Sequence, residues 1–185
     1  MIAVIFVALL VAAGLRATPG VLILPLQQAF GWSFDVISVS AAVGIFLYGL
    51  AGPFAAAVRN RLGIRRTVIG ALALMSAATF ASYFMTQPWH LFLTWGVLTG
   101  LGSGAVANVL GAVIVNRWFV KNRGLVMGLL TASTASGMLV FMPGLAAVVE
   151  RGGWQPVVLI VAMACAAVVP LVYFLVPERP ASIGL

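Results

Sequence analysis

Long apolar stretches separated by short polar breaks dominate the order of residues along this chain. Crossing a bilayer as a helix takes roughly 20 mostly apolar residues. Six stretches reach that length, at about residues 2–26, 36–58, 67–85, 91–115, 124–149 and 157–176. Five of them contain no Asp, Glu, Lys or Arg, and the first contains one Arg. The alternation typical of membrane β-strands is absent from the sequence. The pattern predicts an all-α membrane protein, a single bundle of six transmembrane helices over residues 1–185.

The composition excludes a soluble globular domain. Of the 185 residues, 63% are hydrophobic and 7% are charged, whereas soluble domains carry about 25% charged residues. Cys165 is the only cysteine, so neither an intramolecular disulfide nor a cysteine metal site is expected. We therefore expect no metal and no cofactor, and a lipid bilayer as the solvent.

Basic residues are distributed unevenly between the connections. Eight of the ten fall in the second connection, the fourth connection and the tail, namely Arg59, Arg61, Arg65, Arg66, Arg117, Lys121, Arg123 and Arg179. Arg151 is alone in the connections of the opposite side. Short loops rich in Lys and Arg stay in the cytoplasm, which predicts that both termini are cytoplasmic, in a cell inner or plasma membrane. The basic loops are too short to form a nucleic-acid-binding module, so no nucleic acid is expected.

An internal repeat appears when the sequence is shifted by 90 residues, so that residues 51–69 lie over residues 141–159. Pro53 then pairs with Pro143, and the loop residues Arg61 and Gly63 pair with Arg151 and Gly153. The shift predicts two repeats, at about residues 1–90 and 91–180, each of three spans. An odd number of spans inverts the second copy in the membrane. Inverted three-span repeats are typical of secondary transporters.

The first span contains the features most indicative of a binding site. Arg16 lies near its middle, where an arginine costs about 2.5–3.5 kcal/mol on insertion scales, so it should face the bundle interior or a wet cavity. Its guanidinium group suits a carboxylate. The alternative is that Arg16 reaches a membrane interface or bonds a backbone carbonyl for structural reasons alone. Pro19 and Gly20 predict a helix break, a feature that points to the binding sites of transporters.

Other polar residues within the spans are weaker candidates for the same cavity: Asn108, Thr131 and Thr134. The acids Asp35, Glu150 and Glu178 all fall at span ends or in loops, so no carboxylate is expected within the membrane. Because the spans contain no carboxylate pair, metal-ligand cluster or nucleophile with a base, an enzyme is not expected.

Residues 56–66 resemble the loop signature between the second and third helices of the major facilitator superfamily. Arg61, Gly63, Arg65 and Arg66 match that signature. Asn60 occupies the position of its acid, and an alanine replaces its first glycine. The resemblance implies that Asn60, Arg61, Gly63, Arg65 and Arg66 serve a gate on the cytoplasmic side, where Asn60 can form hydrogen bonds but carries no charge.

Three segments are similar to the monocarboxylate-porter-like branch of that superfamily, namely residues 118–128, residues 14–21 and, following the latter, residues 30–33. The resemblance implies a secondary transporter that moves a small organic anion, such as a carboxylate, by alternating access. Members have two six-helix halves with the substrate between them, so the chain is expected to be the amino-terminal half and to need a carboxy-terminal half or a partner subunit. It is either a fragment or a short gene product. The alternative function is a truncated or regulatory six-span protein that pairs with another membrane subunit and does not transport alone.

Overall fold

The computed structural model describes residues 2–108, 111 and 121–175. Its helices are α1 (Ile2–Phe30), α2 (Phe34–Leu62), α3 (Ile64–Ser82), α4, α5 (Arg123–Gly152) and α6 (Trp154–Leu175), where α4 consists of the consecutive segments Pro88–Leu91, Phe92–Leu98 and Thr99–Asn108. All six are long and apolar enough to cross a membrane. The predicted all-α architecture with six spans is confirmed.

The helices on either side of two connections are longer than the hydrophobicity pattern predicts. The predicted breaks at residues 59–66 and 150–156 are almost entirely helical, and a single glycine separates the helices in each case. Gly63 and Gly153 have φ angles of 87° and 78°, and their N–H groups donate to Arg59 O at 2.8 Å and Val149 O at 2.9 Å. Basic residues are favourable at a helix C-terminus because they complement its dipole, so polarity alone does not end α2 and α5.

The middle segment of α4, Phe92–Leu98, is a π-helix. Thr99 maintains this register, because both its backbone N–H and its hydroxyl group donate to the carbonyl oxygen of Thr94, the latter at 2.8 Å. A π-turn holds more residues than an α-turn. The faces of α4 beyond Leu98 are therefore rotated relative to those of an uninterrupted α-helix.

Small residues bring the backbones of α2 and α4 into direct contact. A Cβ atom added to Gly100 would lie 2.6 Å from Gly44 O, and one added to Gly104 would lie 2.5 Å from Tyr48 O. Gly137 of α5 is equally close to α1, with Leu10 O at 2.7 Å from such an atom. Lipid provides no hydrophobic force between helices, so close packing of small residues takes its place.

The packing of the helices follows the inverted repeat. The main pairs are α1 with α5, α2 with α4 and α3 with α6, and the 90-residue shift exchanges the first two pairs and keeps the third. Single contacts obey the same rule, since the contact of Gly104 with Ala51 maps onto that of Gly14 with Phe141. The fold is thus two inverted three-helix units, and the exact limits of the repeats stay a prediction.

Candidate functional site

Arg16 is half-buried on α1 and faces α2. Its Cζ atom lies 4.5 Å from the centroid of the Tyr48 ring. A guanidinium group at this distance is attracted to the negative face of an aromatic ring. The Nε atom of Arg16 is buried and has no hydrogen-bond partner among the described residues. The side chain is therefore partly enclosed by the bundle, and its Nε–H group is an unused donor among the described residues.

Pro19 and Gly20 lie within α1, which is continuous from Ile2 to Phe30. The predicted break therefore does not interrupt the helix. Pro19 has no N–H group, so one backbone hydrogen bond is missing at this turn, and the hydroxyl of Thr18 donates to Gly14 O at 2.9 Å. Gly20 faces α5, where Met142 Cε would lie 3.7 Å from an added Cβ atom. What remains of the predicted break is a locally weakened turn next to α5.

A small cavity lies beside Pro19, between α1, α2 and α4. Its volume is about 10 Å³, and its lining includes Pro19, Ser40 and Trp95, which is room for about one water molecule. Trp95 is 3% exposed, and its Nε1 atom has no hydrogen-bond partner among the described residues. Trp95 is the one tryptophan that falls inside a predicted span, a signal in the sequence that could have marked it as buried. Its position in the π-helical segment is visible only in the structure.

Thr131 and Thr134 do not come together with Arg16. Each donates its hydroxyl to its own helix, Thr131 to Met127 O at 2.9 Å and Thr134 to Leu130 O at 3.3 Å. Gly14, near Arg16, packs against Phe141 of α5. Phe141 is seven residues beyond Thr134, or about 10 Å along the helix axis. Asn108 ends the described part of α4, and its side chain lies outside the described residues.

The predicted gate residues surround the junction between α2 and α3. Asn60 is exposed, and its Oδ1 atom accepts hydrogen bonds from Nε and Nη2 of the neighbouring Arg59 at 3.3 and 3.1 Å. Arg65 lies over the ring of Tyr173 on α6, with its Cζ atom 4.0 Å from the ring centroid. Arg61 is exposed, and Arg66 lines a groove between α2, α3 and α4. The arginines thus diverge toward different neighbours around Gly63.

Comparison with known proteins shows which family the sequence matches. The sequence pattern that defines the Major Facilitator Superfamily matches residues 4–184. The "Uncharacterized MFS-type transporter YcxA" of Bacillus subtilis (strain 168) is 28% identical over 163 residues, which cover 85% of this chain and 39% of that protein. Human "Monocarboxylate transporter 7" is 27% identical over 77% of this chain and 27% of its own length.

Human "Monocarboxylate transporter 14" is 35% identical over 121 residues, which cover 65% of this chain and 23% of that protein. The matched part of this chain therefore spans between about a quarter and two fifths of the curated relatives named here.

Proposed function

This chain belongs to the major facilitator superfamily, and we propose that it supplies one six-helix half of a membrane transporter for a small organic anion, such as a carboxylate. The chain is similar to proteins named as monocarboxylate transporters, which supports the choice of a carboxylate. Transporters of this architecture bind substrate near the bilayer midplane and expose it to each side in turn. The second half comes from a further six-helix unit, either in the same polypeptide or in a partner subunit.

The observation that carries the proposal is the position of Arg16, which lies in the middle of a span with a buried nitrogen that is unpaired within the described part of the chain. A cation near the middle of a span costs about 2.5–3.5 kcal/mol on insertion scales. The ring of Tyr48 offsets part of this cost, since a cation–π contact contributes about 0.5–2 kcal/mol. The buried Nε atom has no hydrogen-bond partner among the described residues. A carboxylate would accept two parallel hydrogen bonds from the guanidinium group and neutralise its charge.

The exposure of α2 and α5 supports a mechanism of alternating access. The most apolar stretches of α2 and α5 are 17% and 22% buried, lower fractions than those of the other four spans. The inverted repeat relates α2 to α5, so a second six-helix unit packing on both could rock against them around a site at Arg16. Asn60, Arg61, Gly63, Arg65 and Arg66 would then close the cytoplasmic end. Asn108, Thr131 and Thr134 stay weaker candidates for the cavity wall.

The test is uptake of a radiolabelled monocarboxylate into vesicles that hold the chain together with its second six-helix half. Arg16→Gln and Arg16→Lys should both abolish uptake at normal expression, because neither side chain presents the planar pair of donors. Arg151→Gln, in an exposed position at the end of α5, is the matched control and should transport normally. Unchanged kinetics in both Arg16 variants would remove Arg16 from the binding site. Equal uptake of the neutral amide of the same acid would exclude an anion transporter.

A further inference from the structure

An open apolar groove runs along the outside of the bundle between α2, α3 and α4. Its volume is about 560 Å³. The floor consists of small residues, among them Ala51, Ala55 and Gly70, and the rim includes the exposed side chains of Leu50 and Phe54. Where it faces lipid, a groove of this kind accepts a flexible hydrocarbon chain, because the small residues of its lining leave room for the chain.

The length of the groove is comparable to the thickness of one bilayer leaflet. Its lining extends on α3 from Arg66 to Leu74 and on α2 from Leu47 to Leu62. These stretches correspond to about 12 and 22 Å along the helix axes, whereas half of the hydrocarbon core is about 15 Å thick. One end lies at the α2–α3 junction, beside Gly63, where the sequence pattern predicts the membrane surface. The groove therefore reaches from the level of the lipid headgroups toward the bilayer centre.

Positive charge is concentrated at the headgroup end. Arg66 lines the groove itself, and Arg59 and Arg61 belong to the same junction, whereas Arg65 turns toward Tyr173 of α6. Basic residues between membrane helices at the bilayer surface bind anionic lipid headgroups, and a guanidinium group matches the geometry of a phosphate. The apolar length and the cationic end together fit a molecule with an acyl chain and an anionic head.

The repeat provides an internal comparison. At the positions related to Arg66, Gly70 and Ala71 by the 90-residue shift, the second unit has Pro156, Ile160 and Val161. The cation is missing there and the two small residues are replaced by large apolar ones. The groove with its charged end is thus a feature of the first unit's own sequence and not a consequence of the repeated fold.

We propose that this groove is a binding site for an anionic glycerophospholipid, with one acyl chain between α2 and α3 and the phosphate at Arg66. We assign the groove to a lipid and not to a protein helix because its apolar lining ends at a cation, Arg66, whose guanidinium group matches a phosphate. The site is separate from Arg16 and from the exposed residues Gly49, Pro53 and Ala57 of α2, which lie outside the groove lining and leave a face for the second six-helix unit.

Native mass spectrometry of the delipidated chain in detergent, titrated with dioleoylphosphatidylglycerol or dioleoylphosphatidylcholine, tests the proposal. The wild type should bind one phosphatidylglycerol in preference to phosphatidylcholine. Gly70→Leu should abolish this binding, because a Cβ atom at Gly70 meets nothing within 4 Å and a leucine there occupies the groove without displacing the protein. Gly144→Leu is the matched control, since Gly144 on α5 is equally unobstructed and lies outside the groove.

Arg66 separates the role of the headgroup from that of the acyl chain. Arg66→Gln should weaken phosphatidylglycerol binding about five-fold, since one basic residue near an anionic surface contributes about 1 kcal/mol, whereas Arg66→Lys should retain most of it. Equal binding of both lipids by the wild type, or unchanged binding by a folded Gly70→Leu variant, would overturn the proposal. Loss of a dimer in Gly70→Leu without any bound lipid would assign the groove to a second copy of the chain and overturn it as well.

Discussion

Arg16 and Tyr48 show how a charge is accommodated within the span of a helix. The guanidinium group lies over the ring at 4.5 Å, and both side chains are half-buried between α1 and α2. The ring supplies attraction without neutralising the charge, because its quadrupole carries no net charge. Tyr48 is therefore a positioning residue for Arg16 under the proposed function.

Replacing Tyr48 tests this positioning role. Tyr48→Leu should raise the KM for the transported anion about two- to thirty-fold, the range that corresponds to a lost cation–π contact of about 0.5–2 kcal/mol. Tyr48→Phe keeps the ring and should transport nearly as well as the wild type. The measurement is concentration-dependent uptake in vesicles. If Tyr48→Phe is as impaired as Tyr48→Leu, the hydroxyl group and not the ring is what matters.

Glycines that are indistinguishable in the sequence differ sharply in which atoms surround them in the bundle. Gly104 lies directly against α2, where an added Cβ atom would be 2.5 Å from Tyr48 O and 2.6 Å from Ala51 Cβ. Gly128 on α5 has nothing within 4 Å of such an atom. Backbone atoms cannot move aside as a flexible side chain does, so a methyl group at Gly104 must push α2 and α4 apart.

The thermal unfolding midpoint in detergent should separate these two glycines. Gly104→Ala should destabilise the bundle by about 1–3 kcal/mol, the usual cost of overpacking. Gly128→Ala should be neutral or slightly stabilising, because alanine is about 1 kcal/mol better than glycine within a helix. Equal midpoints for the two variants would show that α2 and α4 are not in backbone contact at Gly104.

At the scale of elements, two glycines define where helices end and the next begin. Gly63 has φ 87° and ψ 166°, and Gly153 has φ 78° and ψ −159°. Both conformations lie in a region that is essentially restricted to glycine. Each residue both terminates one helix and precedes the next directly, so the angle between the two helices depends on it.

Alanine at either junction should therefore be costly. Gly63→Ala and Gly153→Ala should each lower the free energy of unfolding by about 1–3 kcal/mol, the cost of holding another residue in this region. Gly144→Ala, in the interior of α5 and unobstructed, controls for the loss of a glycine as such. Denaturant unfolding followed by circular dichroism measures the effect. A junction variant as stable as the control would mean that the connection can adopt another conformation.

At the scale of the whole molecule, the inverted repeat places equivalent junctions on opposite sides of the membrane. The α2–α3 junction carries four arginines, and its counterpart between α5 and α6 carries Arg151. This asymmetry predicts the orientation of the bundle by the positive-inside rule. Both units share a packing scheme, so the prediction of their orientation depends on the loop charges.

Cysteine labelling in intact cells measures the orientation. In a Cys165→Ala background, single cysteines replace Asn60 or Asn122 on one side, and Gln28 or Gln155 on the other, all of them exposed positions. A membrane-impermeant maleimide should label the two glutamine positions from outside and the two asparagine positions only after permeabilisation. The reverse pattern would invert the predicted orientation, and a mixed pattern would contradict the number of spans.

The six spans, the inverted repeat and the family resemblance were predictable from the sequence, because lipid requires long apolar helices and a duplicated loop keeps its pattern. The positions of the helix ends at the two glycine junctions could not be predicted from the sequence, since arginines near a bilayer surface are compatible with either a helix or a loop. The predicted break at Pro19 shows a similar limit, because a proline removes a single hydrogen bond and neighbouring helices can keep the segment helical.

The sequence by itself determined that this protein lies in a bilayer and that Arg16 is costly to place within it. Both conclusions depend only on the length of an apolar stretch and on the residues that it contains. Only the tertiary structure decided what meets that charge and what does not. Tyr48 comes from the next helix, Thr131 and Thr134 donate to the backbone of their own helix, and Trp95 is buried within the π-helical segment. These relations depend on the rotation and depth of one helix against another, which the packing of small residues sets and no local pattern encodes.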